Sequence, residues 1–260
     1  MNNELLRQKL RHDLLVAREE TDELFRLLAP EAIHERPISE RHRIIFYLGH
    51  FEAFDWNMIC AQSFGAKSFN SQFDRLFEFG IDPVDGRLPH DQPSDWPAIE
   101  EIISYRNRVR ATVDDLLEHA TFTNSSQPFV ENGQIFHVAI EHRLMHAETL
   151  AYMFHWLDYS LKRRPARGAT VSADRSERSR PTLSEVRIPS GDATLGQARD
   201  THSFGWDNEF EAHRVFVPEF SIDTFNVTNA DFLEFVNAGG YDHKPLWGEE
   251  DWTWIQEAIS

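Results

Sequence analysis

Apolar residues recur at three- and four-residue steps through most of the first 161 positions, and that period predicts helices. From Glu4 to about Leu28 the recurring set is Leu5, Leu6, Leu10, Leu14, Leu15, Leu24, Phe25 and Leu28. A second helix is predicted from about Glu40 to Phe64, with Ser39 as its N-cap. A third starts near Ser94-Asp95-Trp96-Pro97, where Pro97 suits a first helical turn. It carries Ile99, Ile102, Ile103, Val109, Val113, Leu116 and Leu117. A fourth covers about Gly133 to Leu161. Four long helices with inward apolar stripes make a bundle. Between the second and third lies Lys67 to Gln92, with Phe69, Phe73, Leu76, Phe77 and Phe79. A connection of that length inside a compact domain is commonly functional or carries short structure of its own.

The pattern changes after Leu161. Seven basic residues fall between 162 and 180, with Val171 the one large apolar residue among them. This composition reads as a solvated tether. Beyond it, Val186-Arg187-Ile188-Pro189, Arg214-Val215-Phe216-Val217 and Phe220-Ser221-Ile222-Asp223 read as short strands separated by polar turns. A short helix begins at Val227-Thr228-Asn229, capped by Thr228 or Asn229. A tryptophan cluster follows at Trp247, Trp252 and Trp254. The expected class is α+β: a helical bundle over 1–161, a linker over 162–184 and a mixed segment over 185–260. The strands of that last segment are too few and short to close a sheet with a buried face. The segment is therefore expected to pack on the bundle or to open a larger domain.

Composition narrows the partners. The net charge of −17 argues against nucleic acid, which needs a basic face, and disfavours anionic membrane surfaces. No stretch reaches the ~18 consecutive apolar residues of a membrane span, and the N-terminus lacks a signal-peptide hydrophobic region. The single cysteine, Cys60, excludes an intrachain disulfide framework and reads as a small buried hydrophobe. Together these place the chain in the cytoplasm.

The candidate chemistry sits in Glu141-His142-Arg143-Leu144-Met145-His146-Ala147-Glu148. Residues four apart share a helix face, with Cβ atoms about 6 Å apart. Two imidazoles held there can bind one divalent cation. His50, in Leu48-Gly49-His50-Phe51-Glu52, is the best candidate for a third ligand. Three neutral imidazoles suit Zn(II), Fe(II), Cu(II) or Ni(II) and leave coordination positions open. Glu52 and Glu141 flank the ligands and are placed to orient an imidazole N–H, as solvated carboxylates also could be. Glu148 lies about 200° round the helix from His146, which suits an ion pair with Arg143, a helix cap or support from behind the ligands. Asp55 is a weaker candidate, and His137 points about 140° away from His142. Arg75 and Arg87, in the long connection, could hold a substrate carboxylate in a bidentate fork.

These motifs carry a resemblance. The first 160 positions resemble DinB-like four-helix bundles. The fuller likeness is to the iron-dependent sulfoxide synthases of ergothioneine and ovothiol biosynthesis. It rests on Gly49-His50-Phe51-Glu52-Ala53-Phe54-Asp55-Trp56-Asn57, on His142, His146 and Glu148 followed by Thr149-Leu150, and on Phe77-Glu78-Phe79-Gly80-Ile81-Asp82 with Ser94-Asp95-Trp96-Pro97. In the second segment, Pro189-Ser190-Gly191, Trp206-Asp207-Asn208-Glu209, Ala212-His213-Arg214-Val215, Val227-Thr228-Asn229 and Asn237-Ala238-Gly239-Gly240-Tyr241 resemble the opening of a formylglycine-generating-enzyme-like, C-type-lectin-like domain.

The resemblance implies a non-haem iron(II) held by His50, His142 and His146, with O2 as cosubstrate. It implies a thiol joined to an imidazole carbon of a histidine derivative, and small-molecule partners only. Two departures stand out. The family's second domain is longer, and its later part supplies groups near the iron; this implies an intact metal site with weak turnover in the chain as given. Some members carry glutamine where this chain has Met145. Alternatives are a DinB-like metal-dependent thiol transferase or hydrolase, a selenium-transferring relative and a noncatalytic binding module.

Overall fold

The computed structural model describes residues 2–78, 90–123, 127–164, 184–199 and 204–259. The chain forms two compact units. The first contains α1 (Asn3–Arg26), α2 (Ile44–Asp55), α3 (Ser71–Leu76), α4 (Ile99–His119) and α5 (Gln134–His155).

α1 starts at Asn2, whose side chain accepts the Glu4 N–H at 3.1 Å. Leu6, Leu10, Leu14, Ala17 and Thr21 line its buried face against α5 and α4. Leu5 and Leu15, part of the expected stripe, face solvent. α2 is buried on nearly every side because α3, α4 and α5 surround it. Its start differs from expectation. Arg43 is extended, and its guanidinium donates to the His34 carbonyl at 2.6 Å, so helix begins at Ile44. Ser39 donates to Glu40 at 2.7 Å and caps nothing. After Asp55 the helix widens into π-helical turns over Trp56–Ser63, and the Phe64 N–H reaches the Ile59 carbonyl at 3.1 Å.

α4 starts two residues after Pro97. Trp96 is extended, as proline demands of its predecessor; Ala98, also extended, is the N-cap of α4, and Glu101 accepts its N–H at 3.2 Å. Gly133, with φ of 72°, opens α5; a Cβ there would meet Leu10 as well as the strain of a left-handed backbone. α5 ends at His155, earlier than the periodicity indicated. The chain then returns to α1, where Ala29 N–H donates to Leu161 at 2.9 Å and Arg163 N–H to Leu27 at 2.7 Å.

Among the described residues, the second unit contains two antiparallel ribbons and two α-helices. β1 (Glu185–Ile188) pairs with β4 (Phe220–Asp223), Val186 opposite Ile222; β2 (Gly191–Leu195) pairs with β3 (His213–Val217), Ala193 opposite Val215. β2 is a strand that periodicity does not predict, because Gly191-Asp192-Ala193-Thr194-Leu195 shows no apolar alternation. α6 (Asn229–Asn237) is capped by Thr228, which accepts the Asp231 N–H at 3.2 Å while Asp231 accepts the Thr228 N–H at 3.0 Å. α7 (Glu249–Ile259) takes in Trp252 and Trp254, so the expected aromatic cluster is instead Phe235, Tyr241 and Trp247. Most of the linker expected over 162–184 lies outside the described residues. Among the described residues no helix is long and apolar enough to cross a membrane.

Candidate metal centre

α2 and α5 bring three histidines together. His50 is 3% exposed, His142 8% and His146 2%. One ligand nitrogen from each lies within 4.8 Å of the other two. The ring centroids are 4.6 to 5.0 Å apart, and the Nε2 atoms of His50 and His146 are 3.1 Å apart. Two nitrogens bonded at ~2.1 Å to one cation, at 90–109°, stand about 3.0–3.4 Å apart.

The proton positions follow from the partners. His50 Nδ1 is 2.7 Å from the Phe77 carbonyl, which can only accept. Burial holds the His50 imidazole neutral, its pKa lowered to about 4. Its one proton is therefore on Nδ1, and its Nε2 lone pair faces the other two rings. Burial lowers His146 to about 3, with the nearby His50 adding to it. His142 is pushed well below the usual imidazole range by burial, then by His146 and His50. All three are in the neutral form that a cation requires. His146 Nδ1 is buried without a protein partner. An inward lone pair and an N···N spacing of 3.1 Å fit a divalent cation on these residues.

Aromatic rings wall the group. Phe46 stacks on His50 at 4.7 Å and Phe54 on His142 at 3.6 Å, while Tyr47 and Phe51 meet His146 edge-on at 5.6 and 5.9 Å.

An ion chain ties the helices beside the histidines. Arg143 Nη2 on α5 donates to Glu52 at 3.2 Å and Asp55 at 2.9 Å, both on α2. Arg110 on α4 donates to Glu52 at 2.8 Å and to Asp22 on α1 at 2.7 and 2.9 Å. Arg143 and Glu52 are each 1% exposed. These contacts correct two expectations. Glu52 holds guanidinium groups rather than an imidazole N–H, and it is buried rather than solvated. Glu148 is exposed, and the Arg143 partner expected of it is supplied by Glu52 and Asp55. The group that orients His50 is the Phe77 main chain, which no side-chain motif could announce. Arg75 is exposed on α3, Arg87 lies outside the described residues, and Met145 and Glu141 face solvent.

Residues 13–150 match the family model described as the DinB superfamily. The chain belongs to the DinB superfamily. Residues 171–258 match the sulfatase-modifying factor enzyme 1-like domain. This DinB superfamily chain is 32% identical over 239 residues to ergothioneine biosynthesis protein 1 of Neurospora crassa, covering 86% of the chain and 27% of that protein. It is 32% identical over 171 residues to hercynine oxygenase of Mycolicibacterium smegmatis, covering 66% of the chain and 36% of the relative. The chain is also 45% identical over 56 residues to formylglycine-generating enzyme of Mus musculus, 22% of the chain and 14% of that enzyme. The chain thus spans about a third or less of the length of these curated relatives.

Proposed function

We propose that His50, His142 and His146 hold one iron(II) and that the chain forms the metal-binding part of an oxygen-dependent sulfoxide synthase. The substrates would be a thiol of cysteine or γ-glutamylcysteine type and a histidine derivative, joined through sulfur and an imidazole carbon. The observation that carries this reading is the group of three buried, neutral imidazoles, with ligand nitrogens within 4.8 Å, inside a DinB-type bundle. The sulfatase-modifying-factor-like segment and the names of the relatives, hercynine oxygenase and ergothioneine biosynthesis protein, support the substrate classes. The bundle would be residues 1–161, the linker 162–184 and the second domain portion 185–260. The single, buried thiol of Cys60 suits a reducing cytoplasm.

Iron bound with open positions would supply the redox chemistry that joins O2 to sulfur. The chain's residues do the rest. The Phe77 carbonyl keeps the His50 proton turned away from the cation. The rings of Phe46 and Phe54 hold two imidazoles in plane and exclude water from them. Three neutral ligands leave the cation's charge uncompensated, which favours an anionic sulfur donor over a neutral amine. Arg75, exposed on α3, and Arg87 are the candidates for a substrate carboxylate.

Anaerobic iron loading of the chain, followed by calorimetry with trimethylhistidine, tests this. One iron per chain is expected in the wild type and none in His142→Ala, with trimethylhistidine binding only to the loaded protein. Equal metal content in both proteins, or trimethylhistidine binding unchanged by iron, would overturn the reading. Zinc retention with thiol turnover in the absence of O2 would point instead to a thiol transferase or hydrolase.

A further inference from the structure

The Phe77 carbonyl is an end group of α3, where Phe77 is the C-cap. Such terminal carbonyls lack partners within their own helix, and this one is taken by His50 Nδ1 at 2.7 Å. The Phe77 ring itself is closely packed. On one side the ring lies over Gly49, where a Cβ would come within 2.6 Å of it. On the other it stacks on Trp96, at 5.9 Å and 25°. Trp96 also meets Phe46 edge-on at 6.2 Å, and Phe46 stacks on His50 itself. The Trp96 indole is not free to turn. Its Nε1 donates to Asp91 Oδ2 at 2.8 Å. Asp91 is gripped in turn by Arg36, and by Arg43, whose Nε reaches its carboxylate at 3.1 Å and whose Nη2 reaches its carbonyl at 3.0 Å.

We propose that Trp96, anchored by Asp91, is a positioning residue for His50: it backs the Phe77 ring and so holds the carbonyl that keeps the imidazole proton on Nδ1 and leaves Nε2 to a cation. The cation clause rests on the metal reading above; the proton placement does not. Without the indole, the Phe77 ring gains room to leave Gly49. Its carbonyl then turns with it, and His50 is released to the other tautomer or to another ring angle. Groups that fix a ligand histidine from behind in this way commonly change metal affinity on the order of 10- to 100-fold when removed.

Two measurements on the full chain test this. Long-range 1H–15N correlation of the metal-free protein reads the His50 tautomer. Titration with Co(II) reads affinity and, through the visible d–d bands, ligand geometry. The wild type is expected to show His50 protonated at Nδ1. Trp96→Ala is expected to show mixed tautomers, Co(II) binding weaker on the order of tenfold, and shifted bands. Trp96→Phe keeps an aromatic backing and is expected to restore most of the wild-type signature. A merely structural role would lower the unfolding midpoint and leave the tautomer and bands of the folded protein unchanged. That result in Trp96→Ala overturns the proposal. If Trp96→Ala does not fold, Asp91→Asn is expected to shift the tautomer in the same direction by a smaller amount, and an unchanged tautomer there overturns it too. If the wild type binds no Co(II) but the tautomer moves as expected, the metal reading falls and the positioning role stands.

Discussion

At the residue scale, Gly49 shows how closely the site is built. The space a side chain would need there is filled by the Phe77 ring, which is itself fully buried. Gly49→Ala is expected to cost about 1–3 kcal/mol by overpacking and to weaken metal binding, because the ring carries the His50 acceptor with it. Urea unfolding measures the first effect and Co(II) titration the second. The His142/His146 pair was legible because four-residue spacing on a helix is a geometric statement in itself. His50 was legible as a histidine in an apolar helix of the same bundle. The partners of Glu52 are not legible, because a position beside His50 on a helix does not say which neighbour a carboxylate will find. The Phe77 carbonyl was invisible because every residue has one.

At the scale of elements, the ion chain is the feature that matters most. Arg143 joins α5 to α2, and Arg110 joins α2 and α4 to α1. Replacing Arg143 by Met would leave Asp55 buried without its guanidinium, an expected loss of roughly 3–5 kcal/mol, measured by chemical denaturation. Asp22 sets an acid limit. Burial alone would raise its pKa, but the hydrogen bond and charge of Arg110, with Arg106, outweigh this and hold it below the ordinary 3.8. Its contribution is therefore present above pH 3.8 and is lost as pH falls through the lower, folded value. Asp22→Asn is expected to be less stable than wild type near neutrality and to converge with it in strong acid. Thermal unfolding from pH 2 to 7 checks the convergence. The helices themselves were legible from period alone, with ends shifted where Arg43 and Pro97 hold the chain extended. β2 was not, since its pairing with β3 is carried by main-chain bonds rather than by an apolar pattern.

At the scale of the molecule, the described residues fall into two compact units, α1 to α5 in the first and the two ribbons with α6 and α7 in the second. All three imidazoles and the whole ion chain belong to the first unit. A chain of residues 1–164 is expected to fold cooperatively and to bind Co(II) with the affinity of the full chain, as calorimetry would show. The second unit exposes Phe216, Ile222, Phe232 and Leu233, each at least half exposed. Two ribbons of two strands cannot cover such side chains by themselves.

The convergence of His50 with His142 and His146 joins positions that are distant along the polypeptide. An ion seated there would act as a removable staple between α2 and α5, closing a long loop that the unfolded chain leaves open. The melting temperature should then become a titration curve, rising with free cation by an amount equivalent to ~2.7 kcal/mol at a hundredfold excess over Kd. A chelator should return it to its starting point.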